Sequence, residues 1–327
     1  MQRRLRSLLA RRGVVVGLQL GFVVAFTVIL GYFLRDVWAE ALPLLREADL
    51  LYVGISLVVL AAYYLLFVLG WQVILAGLGV RIGYPLALQA EMASMLAKYV
   101  PGTVWTPLAR IVWLRRAGVR ATAVVLGSIA LEAGLSALSG VLVFAVGVLV
   151  VGGQGPEVVV PLAAFALVVG VLIHPRVFGP LARRIFRRFG GDAMPVLSYR
   201  LMLSLLAFYS ATWLVGGVAV YFLVRSLGGD PGVSSIPFLG GTAAVGAIVA
   251  VLSIVAPSGL GVREGSMYGL LLAVTSPPIA LGVTVLNRLA ITIVEALLLA
   301  LGLLAWSAGR RTPDSPLPEP ELARREA

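Results

Sequence analysis

The sequence has no cysteine, a single histidine (His174) and a single lysine (Lys98) among 327 residues. Without cysteine there is no disulfide and no thiolate metal site. Lys98 does not stand in a GxxxxGK[ST] loop, so there is no P-loop. HExxH and GxSxG are absent as well, which leaves hydrolytic and nucleotide-driven chemistry without recognisable apparatus. We therefore expect no enzyme activity, no catalytic residue, no metal and no cofactor. Charge is scarce too, at 13% of residues, against about 25% in ordinary soluble domains. That is too little polar surface for a soluble protein of this size, and it excludes a secreted globular domain and a disordered chain.

What is present is apolar. Hydrophobic residues make up 60% of the chain, and mean hydropathy is +1.01. The composition predicts a polytopic membrane protein whose outer surface faces lipid. The net charge of +11 points in the same direction, because cytoplasmic loops of membrane proteins collect arginine and lysine. No nucleic-acid partner is expected.

A spanning helix needs about 20 mostly apolar residues. Six runs qualify: 14–34, 50–78, 121–151, 158–173, 198–224 and 279–306. Two further apolar stretches, 84–114 and 236–274, are interrupted by Pro101-Gly102 and by Pro257-Ser258-Gly259. Proline and glycine together end a helix. The basic start is followed by a run too long for a signal-peptide core, so 14–34 reads as an uncleaved first span. Its Gly13, Gly17 and Gly21 suit close packing on another helix, within the chain or in a homo-oligomer.

Placing both termini in the cytoplasm puts nearly every arginine cluster there: Arg81, Arg115, Arg116, Arg120, the Arg176–Arg200 loop, Arg310 and Arg311. This holds only if the first broken stretch enters and leaves on one side. The expected fold is thus all-α, with six full transmembrane helices and two broken, re-entrant hairpins. Residues 1–311 form one membrane domain, and 312–327 form a disordered cytoplasmic tail. Residues 176–189 read as an amphipathic helix lying on the cytoplasmic leaflet.

The order span, broken stretch, span occurs twice, over 50–151 and 198–306. Three crossings separate the two starts, so the second copy is inverted. Such repeats, each with a broken helix, characterise transport folds. A break exposes N–H groups that can hold an anion at mid-depth. Lys98 and Arg110 flank the first break; Arg263 and Glu264 follow the second. Glu91, Glu132, Arg288 and Glu295 also fall inside membrane segments. A charge there costs about 2.5–3.5 kcal/mol on insertion scales, so each must pair or line a wet path. Structural roles are open for all of them: Glu264 as a helix-start acid, Arg288 and Glu295 as a structural pair bridged by a partner.

Lys98-Tyr99-Val100-Pro101-Gly102-Thr103-Val104-Trp105, with Arg110 after it, resembles the first signature of the lysylphosphatidylglycerol synthase transmembrane-region, or flippase-like, family. Pro257-Ser258-Gly259-Leu260-Gly261-Val262-Arg263-Glu264 resembles the second, and Glu132 fits the family's membrane glutamate. The resemblance covers roughly residues 10–310. Two-domain members carry a synthase domain after this region; this chain is expected to lack aminoacyl transfer. The resemblance implies translocation of an anionic or zwitterionic phospholipid, or a lipid-linked head group, across a prokaryotic inner membrane. The motifs and the membrane charges together give the expected substrate-binding set: Lys98, Tyr99, Pro101, Gly102, Trp105, Arg110, Glu132, Pro257, Gly259, Gly261, Arg263, Glu264, Arg288 and Glu295. Membrane lipids are the expected partners, and a secondary transporter of a small solute is the alternative.

Overall fold

The computed structural model describes residues 39–97, 105–151, 197–252 and 261–309, with isolated positions between 160 and 180. Among them every regular element is helical. In chain order these are α1 (Leu50–Gly77), α2 (Tyr84–Ala97), α3 (Trp105–Arg116), α4 (Thr122–Val151), α5 (Tyr199–Ser226), α6 (Ile236–Leu252), α7 (Val262–Leu271) and α8 (Pro277–Gly309). A short 3-10 turn, Val233–Ser235, leads into α6. The chain is a multi-pass membrane protein. Among the described residues five stretches are long and apolar enough to cross a bilayer: α1, α4, α5, the Val233–Leu252 stretch and most of α8. The expected span 14–34, most of 158–173 and of the surface helix 176–189, and the tail 312–327 lie outside the described residues.

Local chemistry sets the ends of these helices. The Asp49 carboxylate accepts the Leu51 N–H at 2.8 Å, and the Ser198 hydroxyl accepts the Leu201 N–H at 3.3 Å. Both satisfy a donor that a helix start leaves without an intrahelical partner. At the other ends, Gly79 and Gly228 take φ of 85° and 79°, the left-handed conformation that closes a helix and favours glycine. α1 and α5 are each 28 residues long. They run antiparallel: the Asp49 N–H donates to the Ser226 carbonyl at 2.9 Å, while Gly77 at the far end of α1 meets Leu197 and Leu201. This is the direction that inversion of the second half requires.

Both broken stretches divide into two helices, α2–α3 and α6–α7, but the arms are unequal. α2 has 14 residues, about 21 Å of helix, which falls short of a hydrocarbon core of about 30 Å. The Val233–Leu252 stretch has 20 residues and is long enough to cross. The difference lies in composition. α2 carries Gln89, Glu91 and Ser94, whereas α6 contains no charged residue.

The halves exchange partners. α4 packs on α6 of the second broken stretch, and α8 packs on α2 of the first. The α4–α6 seam is built on glycine. A side chain at Gly147 would meet the Phe238 backbone, and one at Gly241 would meet the Phe144 backbone. Small residues of this kind let membrane helices approach closely, where apolar burial gives no drive of its own.

Candidate functional site

The charged residues of the membrane segments gather in two clusters. The first joins α1, α2, α3 and α4. The Arg110 guanidinium lies between two acids, pairing through Nη2 with Glu91 and through Nη1 with Glu132. Its Nε donates to Ser94 Oγ at 3.3 Å, and its centre lies 4.6 Å from the Trp71 ring. The fork of donors and the flat cation suit two carboxylates and an aromatic face together. Trp71 is itself fixed, donating Nε1–H to Ser128 Oγ at 3.0 Å. Glu91, Arg110 and Glu132 are 0%, 5% and 3% exposed. A phosphate reaching Arg110 would therefore have to displace an acid.

The second cluster joins α1, α5, α7 and α8. The Gly261 N–H, at the start of α7, donates to Glu264 Oε2 at 2.7 Å. The acid thus meets the positive end of its own helix, as the structural alternative expected. Gly261 has φ of 81°, a conformation natural to glycine. The other Glu264 oxygen lies 3.4 Å from Arg288 Nη1. Glu295 accepts a hydrogen bond from the Tyr64 hydroxyl at 2.7 Å. Tyr64 stands edge-on to Tyr63, which leans on Trp213 at 5.5 Å between ring centres. Arg288 and Glu295 therefore have different partners and are not paired with each other.

Arg263 differs from the other cations of this region. It is half-buried in the first turn of α7, where the helix end is already positive, and its stem runs past Gly246 of α6. Among the described residues it makes no ion pair, and its charge acts on the tyrosines Tyr63 and Tyr64. A cation beside a helix N-terminus and without a counter-ion is an electrostatic place for an anion.

Residues 15–302 match the family described as the lysylphosphatidylglycerol synthase TM region. The chain belongs to that family. No curated protein sequence matches it. Membership places the chain among membrane-embedded domains of lipid metabolism or transport.

Of the expected site residues, Arg110 and Glu132 meet in the first cluster, while Gly261, Arg263, Glu264, Arg288 and Glu295 gather around the second. Trp105 opens α3. Lys98, Tyr99, Pro101, Gly102, Pro257 and Gly259 lie outside the described residues. Trp71, Tyr64, Tyr63, Ser94 and Tyr209 were not expected. The signal of the four aromatic residues was a polar aromatic side chain inside an otherwise apolar span, where a hydroxyl or indole N–H needs a partner. Among the described residues no group of histidine, cysteine or acidic side chains is placed to hold a metal.

Proposed function

We propose that this member of the lysylphosphatidylglycerol synthase TM region family is a lipid translocase that moves an anionic or zwitterionic phospholipid, or a lipid-linked head group, between leaflets. The observation that carries the reading is Arg263: a half-buried membrane cation at the start of α7, without a carboxylate partner among the described residues, beside an aromatic group of Tyr63, Tyr64 and Trp213. A phosphate can take that charge in the positive field of the helix start. Glu264 and Glu295 stand beside it for a cationic part of the same head group. The antiparallel α1 and α5 support an inverted repeat, and with it alternation of access around a fixed central site.

The protein works in the cytoplasmic membrane of a prokaryote with both termini inside, because that orientation gathers the arginines on one face. Translocation makes and breaks no covalent bond, so the function needs no catalytic residue.

The test is translocation of labelled phospholipids by the purified protein in vesicles. Arg263→Ala is expected to lower the rate at least about tenfold, equivalent to about 1.4 kcal/mol, and Arg263→Lys to keep part of it, since the charge stays and the fork is lost. A normally folded Arg263→Ala protein with the normal rate refutes the reading. Uptake of a soluble solute without lipid movement would favour a secondary transporter.

A further inference from the structure

The arginine-rich end of the helices carries a second place for an anion, apart from Arg263. α3 closes in a tight turn: the Ala117 and Val119 N–H groups both donate to the Leu114 carbonyl, at 3.1 and 3.0 Å, and Gly118 takes φ of 88°. α4 starts directly after it, with the Thr122 N–H and hydroxyl both on the Arg120 carbonyl, at 2.8 and 3.4 Å. The turn therefore gathers Arg115, Arg116 and Arg120, all three exposed. Val80 and Ile82 pack in the same apolar cluster as Leu114 and Val119, which brings Arg81 to this end as well. Val124 and Leu201 pack against one further cluster, which brings Arg200 from the start of α5. None of these five arginines makes an ion pair among the described residues. The described acids lie elsewhere: Glu40, Glu47, Asp49 and Asp230 at the opposite end, the rest in the two membrane clusters. Beside Arg120 the first turns of α4 border a groove of about 530 Å³, lined by Arg120, Ala121, Thr122, Ala123, Val124 and Leu126. Its size is that of a small-molecule site, about 300–1,000 Å³. Its walls are apolar apart from one guanidinium and one hydroxyl.

We propose that this groove is a binding site for an anionic phospholipid of the cytoplasmic leaflet. The phosphate sits at Arg120, with Arg115 and Arg116 across the turn, and an acyl chain lies over Ala123 and Leu126. A free anion would leave the apolar walls wet, and an alkyl chain alone would leave the arginines without counter-charge. A phospholipid answers both, and the guanidinium fork suits phosphate oxygens. Arg120 also stands just before the start of α4, where the helix end is positive and a cation is disfavoured unless an anion joins it. Arg115 and Arg116 offset the negative end of α3, and an arginine bias toward the cytoplasm serves topology. Neither role accounts for an apolar groove opening beside Arg120. The site does not rest on the translocase reading: it asks only for a resident lipid, and Arg263, half-buried in α7, takes no part in it.

The experiment is native mass spectrometry of the whole protein in neutral detergent, incubated with equal amounts of phosphatidylserine and phosphatidylcholine of the same chain length. The wild type is expected to retain one phosphatidylserine with a preference of about tenfold or more, and to lose that preference as salt rises. Arg120→Gln is expected to abolish the preference, and the pair Arg115→Gln/Arg116→Gln to weaken it. Ala123→Trp, which fills the groove and keeps every charge, is expected to lower retention of both lipids. These positions are on the surface, so folding is expected to survive; the salt series on the wild type gives a reading that needs no variant. Arg46→Gln, at the opposite end of the helices, removes the same charge and is expected to change nothing. Equal retention of the two lipids by the wild type overturns the site, as does a preference unmoved by Arg120→Gln. Equal losses in Arg46→Gln and Arg120→Gln overturn it too, because net charge then explains the retention. Undiminished retention in Ala123→Trp, or displacement of the lipid by an equal concentration of soluble glycerol phosphate, overturns the groove as a lipid site, because a free phosphate then suffices.

Discussion

Tyr64 and Glu295 stand 231 positions apart in the chain and 2.7 Å apart in space. Their hydrogen bond ties α1, the first helix of one half, to α8, the last helix of the other. It is buried among apolar side chains, where water offers no replacement for a lost donor. Yet hydrogen bonds between membrane helices contribute modestly, about 0.6 kcal/mol on average and up to about 1.7, because the unfolded chain also finds partners in the membrane. Tyr64→Phe, which removes only the hydroxyl, is expected to lower stability by about 1 kcal/mol, measured by unfolding in mixed micelles with denaturing detergent. Loss of several kcal/mol would show that this one bond holds the halves together.

Arg110 is a different case, because it is charged and satisfies two acids. Arg110→Met removes the only described counter-ion of Glu132 and one from Glu91. Breaking a buried ion pair from one side costs about 3–5 kcal/mol, whereas replacing the whole group by apolar or neutral residues is often tolerated. We expect Arg110→Met to be severely destabilised, and the triple variant Glu91→Gln/Arg110→Met/Glu132→Gln to recover most of the loss. The same unfolding assay checks both. A triple variant no better than the single one would show that Arg110 acts through packing on Trp71 instead.

The α4–α6 seam predicts opposite outcomes for chemically identical changes. Gly147 and Gly241 face the backbone of the partner helix, so an added methyl group has no flexible neighbour to push aside. Gly147→Ala and Gly241→Ala are each expected to cost about 1–3 kcal/mol through overpacking. Gly54, in the second turn of α1, faces nothing within 4 Å. Gly54→Ala is expected to gain about 0.5–1 kcal/mol, since alanine loses less backbone freedom in a helix. Melting temperatures of the three purified variants decide it.

The sequence makes the long helices legible because their signal is local. About twenty apolar residues in a row have few soluble alternatives, so α1, α4, α5 and α8 appear at their observed bounds to within a few residues. The inequality of the two breaks was not legible as a symmetric pattern, although its cause was in view: α2 is polar and α6 is not. Pairing was harder still. Arg288 and Glu295 share a face of α8 and invite pairing, but each finds a nearer partner on another helix, Glu264 and Tyr64. Which partner wins depends on how α1, α7 and α8 pack together, and spacing along one helix carries no information about that. Arg110 shows the reverse limit. Its residue type announced a membrane cation, but only the fold shows it enclosed by acids while Arg263 has none among the described residues.

The antiparallel contact between α1 and α5 makes the topology testable in a chain without cysteine. Asp49, at the start of α1, bonds to Ser226 at the end of α5, and Gly77 near the other end of α1 meets Leu197 and Leu201. One end of this helix pair therefore carries Glu47 and Asp230, and the other carries Arg81 and Arg200. The basic end belongs in the cytoplasm by the arginine bias of inner loops. Arg120, after the first broken stretch, belongs on that side if α2 and α3 enter and leave the membrane together. Single cysteines at positions 81, 120 and 200 are expected to react only with reagent supplied to the cytoplasmic side of oriented vesicles. Cysteines at positions 47 and 230 are expected to react only from the opposite side. The substitutions fall in loops or at helix ends, where a change of side chain leaves the core intact. Labelling of positions 81 and 200 from different sides would contradict the antiparallel pair itself. Labelling of position 120 from the outer side, with the other four as expected, would instead make the first broken stretch a single crossing and end the re-entrant reading of α2 and α3.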